Sequence, residues 1–400
     1  MPAAPPGHVT FTQQGPIRSV AVVPGTGEVL TASSCDIYRH RVDRVGRVLP
    51  EASASCGLLR TPQPLGGMAL LDGDRLAVAS GADLLLYSDA AWIDAPSDAA
   101  PDSADALPRP LAPQQTWAPE AMGLVQAPGE AALPRPTGPV RLMAAAPHAP
   151  LLATGWASGL LAVVDAVAGA AVAQWHRAAP RPTSVAWAGH DALLVADAAG
   201  RLTRLHAHAP HAAGERLLSG RDADGWGVPH AAARIACLAV NPHNPAQLAT
   251  GHEDGCVRVW DQRAIRRSSG GDLGGGGGGS GGAQPLISVY DVHQGGPVWA
   301  LAYVPDRPGT VASCGQDGAV QMTAVSPGAG RGAAWVSLTS DERYGGGMAA
   351  VGARPSNVLP LYSLACHPDE PWLVAAGEAG ALLSVSTEPP APASTSRHAA

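Results

Sequence analysis

Few residue types in this 400-residue chain are placed to carry chemistry, and each group points to a different reaction. His206, His208 and His211 have the donor type and close spacing of transition-metal ligands. A tetrahedral site needs a completing Cys or carboxylate, and none stands beside them in sequence, so they read as a polar loop after a strand. Arg39, His40, Arg41, Arg44 and Arg47 could hold a phosphate or an acidic partner, but they also read as a solvated strand face. Gly278-x-Ser280-x-Gly282 has the spacing of a nucleophile elbow. It lies in a nearly pure Gly tract, without the strand-to-helix turn that strains and exposes such a serine. None of these groups makes a catalytic constellation.

Composition narrows the choice further. All 26 basic residues are Arg, which removes the P-loop lysine, the Schiff base and lysine-anchored pyridoxal phosphate. A net charge of −7 with Arg scattered along the chain leaves no electrostatic footprint for nucleic acid. No apolar run is long enough to span a membrane, and Met1-Pro-Ala-Ala-Pro-Pro6 does not read as a signal peptide. Cys35, Cys56, Cys237, Cys256, Cys314 and Cys366 show no C-x-x-C spacing, and several alternate with apolar residues. Reduced, buried thiols of a cytosolic or nuclear protein are expected. The expectation is a non-enzymatic protein with no cofactor and no metal.

The elements follow from a repeat. In Ile235-Ala-Cys-Leu238-Ala-Val240-Asn-Pro242 apolar residues stand at offsets 0, +3 and +5, with Pro at +7. The frame recurs at Ile17, Val140, Val298 and Leu361, and more weakly at Leu65 and Pro182. Each copy continues into a short apolar strand, such as Leu248-Ala-Thr or Val311-Ala-Ser. In the last five copies Gly159, Gly200, Gly255, Gly318 or Gly380 then turns the chain, with an apolar residue two positions on. Alternation of period two, bounded by Gly and Pro, predicts short antiparallel strands. Asp254-Gly255 and Asp317-Gly318 suit tight hairpins, where positive φ favours Gly.

Candidate fourth strands are Ala170–Trp175, Leu286–Val292 and Ala334–Leu338; those of the first two copies are not evident. Four-stranded units of this kind, one ending in Trp260-Asp261, resemble the blades of a WD40 β-propeller. The expectation is an all-β, seven-bladed propeller over 8–387, with blades starting near 17, 65, 140, 182, 235, 298 and 361. Copies lie farther apart than the roughly 40–45 residues of a plain blade, so long Gly/Pro/Ala-rich insertions must separate strands. Residues 89–138 and 268–282 read as flexible insertions, 327–357 as a mixed loop and 388–400 as a tail. Val9-Thr-Phe11 would supply the missing outer strand of blade seven and close the ring.

WD40 blades carry a hydrogen-bonded relay of His, Ser/Thr, Asp and Trp. The resemblance puts His230, Thr250, Asp254 and Trp260 in those places in blade five. In blade six it puts His293, Ser313 and Asp317 there, with Thr323 where Trp belongs. These roles are structural. Trp260-Asp261-Gln262-Arg263 also resembles the box by which some propellers dock onto a cullin-4 ligase adaptor, making Trp260, Asp261 and Arg263 alternative contact residues.

The order of blades resembles the outer-ring nuclear-pore propeller family called nucleoporin forty-three. Its carriers are Leu193-Leu-Val-Ala-Asp-Ala-Ala-Gly-Arg-Leu, Asn241-Pro-His-Asn-Pro-Ala-Gln-Leu-Ala-Thr-Gly-His-Glu-Asp-Gly, Val298-Trp-Ala-Leu and Ser313-Cys-Gly-Gln-Asp-Gly. A long insertion before a last blade opening Leu361-Tyr-Ser-Leu, and the end soon after, also fit. The resemblance implies a scaffold subunit of the Y-shaped complex at the nuclear pore. Its partner would be an α-solenoid nucleoporin of the short arm, without direct contact to nucleic acid or insertion into the membrane. Its departures are the Gly tract, the 89–138 insertion and the weak first three blades. The rival classes are a WD40 adaptor, either a cullin-4 substrate receptor or a peroxisomal-targeting receptor, and a propeller esterase.

Overall fold

The computed structural model describes residues 7–11, 15–42, 57–71, 75–88, 113–124, 137–176, 180–209, 214–218, 233–269, 286–293, 296–325, 334–339 and 359–387. Their strands form seven four-stranded sheets, each ordered outward from its first strand. Blade five shows the pattern. Ile235–Val240 pairs with Gln247–His252, which pairs with Cys256–Asp261, which pairs with Leu286–Asp291, every neighbour antiparallel. The seventh sheet is completed from the other end of the chain. Gly7–Phe11 pairs with Ala381–Ser386 in the register Gly7 to Val385, as closure by an N-terminal strand requires. Sealing the ring this way joins the two chain ends in one sheet and leaves no blade short of its outer strand.

The core is not one mass but seven, each pressed between adjacent blades. Leu30, Ile37 and Leu59 of blade one meet Leu76, Val78 and Tyr87 of blade two. Ile17, Val20 and Val29 meet Trp372, Val374 and Leu382 across the closure. Second strands are buried on both faces, as in Glu28–Ser33, Ala192–Asp197, Thr310–Gly315 and Trp372–Gly377. That explains their unbroken apolar runs of Val, Leu and Ala, in contrast to the alternation of the first strands. Small side chains suit this design, because each sheet must fit between two neighbours at close-packed density.

One irregularity is common to all seven blades. The pairing of each first strand with its second slips just after the first residue, between Ile17 and Ser19, Leu65 and Gly67, Val140 and Leu142, and Pro182 and Ser184. It slips again between Ile235 and Cys237, Val298 and Ala300, and Leu361 and Ser363. Each slip is a β-bulge, and a bulge re-aims the extra residue. The extra residues are Arg18, Gly66, Arg141, Thr183, Ala236, Trp299 and Tyr362.

Two elements depart from the sequence reading. Gln115–Trp117, inside the segment read as flexible insertion 89–138, pairs with Asp83–Ser88 as the outer strand of blade two. Trp117 anchors it at 6% exposure. Three residues are too few for a period to show, so burial of the indole decides what sequence pattern could not. Gln262–Ser269 is helical and runs into the start of the Ser/Gly tract at 268–282. Asp261 caps it by accepting the Arg263 amide at 2.8 Å, and Ile265 is fully buried beside Leu217, Leu218 and Trp260. The outer strands of blades one and four, Gly57–Arg60 and Glu215–Leu218, had no sequence assignment. Those of blades three, five and six are Ala170–His176, Leu286–Asp291 and Ala334–Thr339, within a residue of expectation.

Candidate functional site

The relay of blade five is built within one hairpin. The Trp260 indole donates to Thr250 Oγ1 at 2.8 Å, and Thr250 Oγ1 lies 2.8 Å from His252 Nε2. His252 Nδ1 is 3.0 Å from the carbonyl of Ala233, an acceptor only, so Nδ1 carries the proton. Neutral His252 then accepts the Thr250 hydroxyl proton at Nε2, and every buried polar atom of the chain Trp–Thr–His is satisfied. Burial, reinforced by the nearby Arg258 charge, lowers the His252 pKa to about 4. Asp254, expected in the relay, instead grips the buried Arg258 guanidinium at 2.6 Å and accepts the Cys256 amide at 3.0 Å. Burial pushes its carboxyl up, but Arg258, the Cys256 amide and His252 together pull it below the usual value. His230, expected to head the relay, lies outside the described residues.

Blade six solves the same problem differently. His293 reaches over from the preceding connection, donating from Nδ1 to Asp317 Oδ1 at 2.8 Å, with Nε2 2.9 Å from Ser313 Oγ. Asp317 Oδ1 also accepts the Ala319 amide at 3.1 Å. The ring fits because residue 315 is Gly: a Cβ there would stand 2.9 Å from His293 Nδ1 and 2.8 Å from the Pro297 carbonyl. Thr323 sits opposite Val311, where Trp260 sits opposite Leu248 in blade five.

A third relay was not legible. His40 stands opposite Val29, the place of Trp260, and its Nε2 is 2.9 Å from Thr31 Oγ1. It is 3% exposed, and burial lowers its pKa to about 4. The solvated-face reading of the arginine cluster therefore fails at His40, which points inward. Its neighbours Arg39 and Arg41 point away and share Glu28 at 3.7 and 3.5 Å. Strict alternation in a strand was the available signal. Arg44 and Arg47 lie outside the described residues.

The remaining candidates separate. His206 Nδ1 lies 3.8 Å from Asp191, His208 is exposed and His211 falls outside the described residues. No cluster of metal-ligating side chains occurs among the described residues. The five described cysteines are free, and burial raises the thiols of Cys237, Cys314 and Cys366. Of the adaptor box, Trp260 is core and Asp261 is spent on the helix cap, whereas the Arg263 side chain is 68% exposed. Ser280 lies outside the described residues.

The bulges bring together what no single blade contains. All seven bulge residues line a cavity of 280 Å³ at the mouth of the central channel. Arg18 lies 4.4 Å over the Tyr362 ring, and Trp299 meets Tyr362 edge-on at 6.4 Å between centroids. Both aromatic side chains are held from behind: Trp299 Nε1 donates to Gln316 at 3.0 Å, and the Tyr362 hydroxyl donates to Glu378 at 2.6 Å. Burial and Glu378 raise the Tyr362 pKa, so the phenol keeps its proton. The mouth thus has a basic side, Arg18 and Arg141, and an aromatic side.

Comparison with known proteins agrees with this architecture. The family described as WD domain, G-beta repeat matches residues 228–261 and 284–322, which span the strands of blade five and the first three of blade six. Ribosome biogenesis protein YTM1 of Podospora anserina is 44% identical over 39 residues, 10% of this chain and 8% of that protein's length. Among solved structures, the WD40 β-propeller domain of Doa1 superposes with a TM-score of 0.59 at 12% identity, covering 95% of this chain and 96% of that one. A chain of the mitotic checkpoint complex does so with a TM-score of 0.62 at 14% identity, covering 96% and 93%. Seven closed blades make this chain a seven-bladed β-propeller, and part of it matches the WD40 repeat.

Proposed function

We propose that the chain is a non-enzymatic protein-interaction scaffold, and specifically an outer-ring Y-complex subunit of the nuclear pore that binds an α-solenoid nucleoporin and supports nucleocytoplasmic transport. The observation that carries the scaffold reading is the employment of the buried polar side chains. Buried His252, His293, Thr250 and Ser313 are each hydrogen-bonded within their own blade or its connection, and partly buried Asp254 holds the buried Arg258, which stiffens the ring. Function then resides in surfaces grafted on a rigid fold. Support for the nuclear-pore assignment is the order of motifs from Leu193 to Gly318, the insertion after it and the final blade from Leu361. The matching test is gel filtration of the purified chain with each short-arm solenoid subunit. Co-elution with one of them is expected, and a chain that ignores all of them ends the nuclear-pore reading.

A second reading, a cullin-4 ligase substrate receptor, has one favourable observation: Arg263 is exposed at the exit of the Trp-Asp strand. Adaptor binding that survives Arg263→Ala would remove it.

A further inference from the structure

We propose that His148 and His190 form a two-imidazole seat for a divalent transition-metal cation, at the end of blades three and four away from the bulges. His148 stands in the turn between Val140–Ala145 and Leu151–Trp156, and His190 in the turn between Pro182–Trp187 and Ala192–Asp197. Their ring centroids are 5.7 Å apart with the planes tilted by 48°, and both residues are exposed. That tilt is neither the stacked nor the edge-on arrangement that ring contact alone favours. Neither imidazole has a hydrogen bond or ion pair to another described residue. His243, by contrast, meets the Pro305 carbonyl, and His206 meets Asp191.

The two turns are held firmly. The Ala146 amide donates to the Leu151 carbonyl at 2.9 Å and the Ala188 amide to the Ala192 carbonyl at 2.8 Å, closing each turn on itself. Pro147 and Pro150 fix φ on either side of His148, and Gly189, at φ 86°, turns the chain just before His190. The Trp187 indole donates to the Ala144 carbonyl at 2.9 Å, which ties the bases of the two turns together across the seam. Ligands on such turns give up little freedom when they bind. A zinc–imidazole bond of roughly 2.0–2.1 Å sets the ring centroid about 3.2 Å from the ion, so two rings on one tetrahedral ion stand about 5 Å apart. The pair has to close by less than about 1 Å, which rotation of two exposed side chains supplies. Imidazole nitrogen suits zinc, copper and nickel, whereas magnesium and calcium seek oxygen. No third His, Cys, Asp or Glu joins the pair among the described residues, so water fills the remaining positions and the ion is exchangeable.

The site does not depend on which assembly the scaffold serves, so loss of the solenoid partner in gel filtration and loss of this site are separate results. The test is isothermal titration of the untagged full chain with zinc chloride and nickel chloride, with magnesium chloride as the control. Zinc and nickel are expected to bind and magnesium is not. His148→Ala and His190→Ala should each weaken zinc binding by roughly tenfold or more, with unaltered melting curves because both side chains are exposed. His243→Ala, on the exposed turn of blade five, should retain wild-type binding. The electron paramagnetic resonance spectrum of added copper(II) reads the ligands directly: two nitrogens in the parent and one in either variant. Absence of zinc and nickel binding, magnesium binding as tight as zinc, or zinc affinity and a copper spectrum unchanged in both variants overturns the proposal.

Discussion

Blades five and six are neighbours, both match the same repeat family, and they satisfy a buried hydroxyl by opposite routes. Blade five keeps the imidazole on its own second strand as His252 and adds an indole from the third. Blade six places Gly315 where His252 would be and imports His293, with Asp317 as the second partner and no indole. Blade one takes a third route, with His40 standing in the place of the indole. What the fold requires is a partner for the Ser/Thr hydroxyl in a low-dielectric seam, not a fixed set of residues.

The largest expected effect separates the two blades directly. Trp260→Ala should cost roughly 3–5 kcal/mol in urea unfolding, because it removes a fully packed indole and the Thr250 hydrogen bond together. Trp260→Phe should cost less, and Thr323→Val in blade six about 1 kcal/mol or under. Equal costs for Trp260→Ala and Thr323→Val would show that the indole is not the difference between the blades.

Acid comes next. His252 and His40 have folded pKa values of about 4, below the roughly 6.5 of an unfolded histidine. The unfolded chain therefore takes up protons first as pH falls, so this stability is complete above about 6.5 and is lost between there and about 4. At pH 5 each imidazole should cost about 2 kcal/mol relative to pH 7. His252→Gln should remove its share of that slope in urea titrations across the window; an unchanged slope would contradict a neutral, buried His252.

Gly315→Ala probes the imported histidine. Its Cβ would press on His293 and the Pro297 carbonyl, for a loss of about 1–3 kcal/mol by thermal melting. A neutral outcome would mean that His293 has room to move. The smallest effect is expected at Arg263→Ala, within about 0.5 kcal/mol of the parent, since the side chain is exposed and its Asp261 contact is long.

Much of the ring was legible because its signals are local. Offsets of 0, +3 and +5 recur with a following apolar strand in every blade, and a turn Gly marked the third strand in the last five. Gln115–Trp117 was hidden because a three-residue strand carries no period. His40 was hidden because an inward histidine between two arginines looks like part of a charged face until its partner Thr31 is seen. The helix at Gln262–Ser269 had an Asp cap and helix-forming Gln, Ala and Arg, but the Gly tract after it masked the signal. The mouth was hidden for another reason: one bulge residue per blade is a single letter in each repeat, and seven unlike letters have no common motif.

The repeat frame alone thus determined the number of blades and left one place for a closing strand, because its signals are short-range, whereas Thr250, Trp260, Ser313 and His293 were pointed to by the resemblance to WD40 blades. Only the tertiary structure decided that His252 completes blade five, and that Arg18, Arg141, Trp299 and Tyr362 share one cavity. Ring closure brings position 18 beside position 362, and no local pattern encodes a contact across the whole length of the chain.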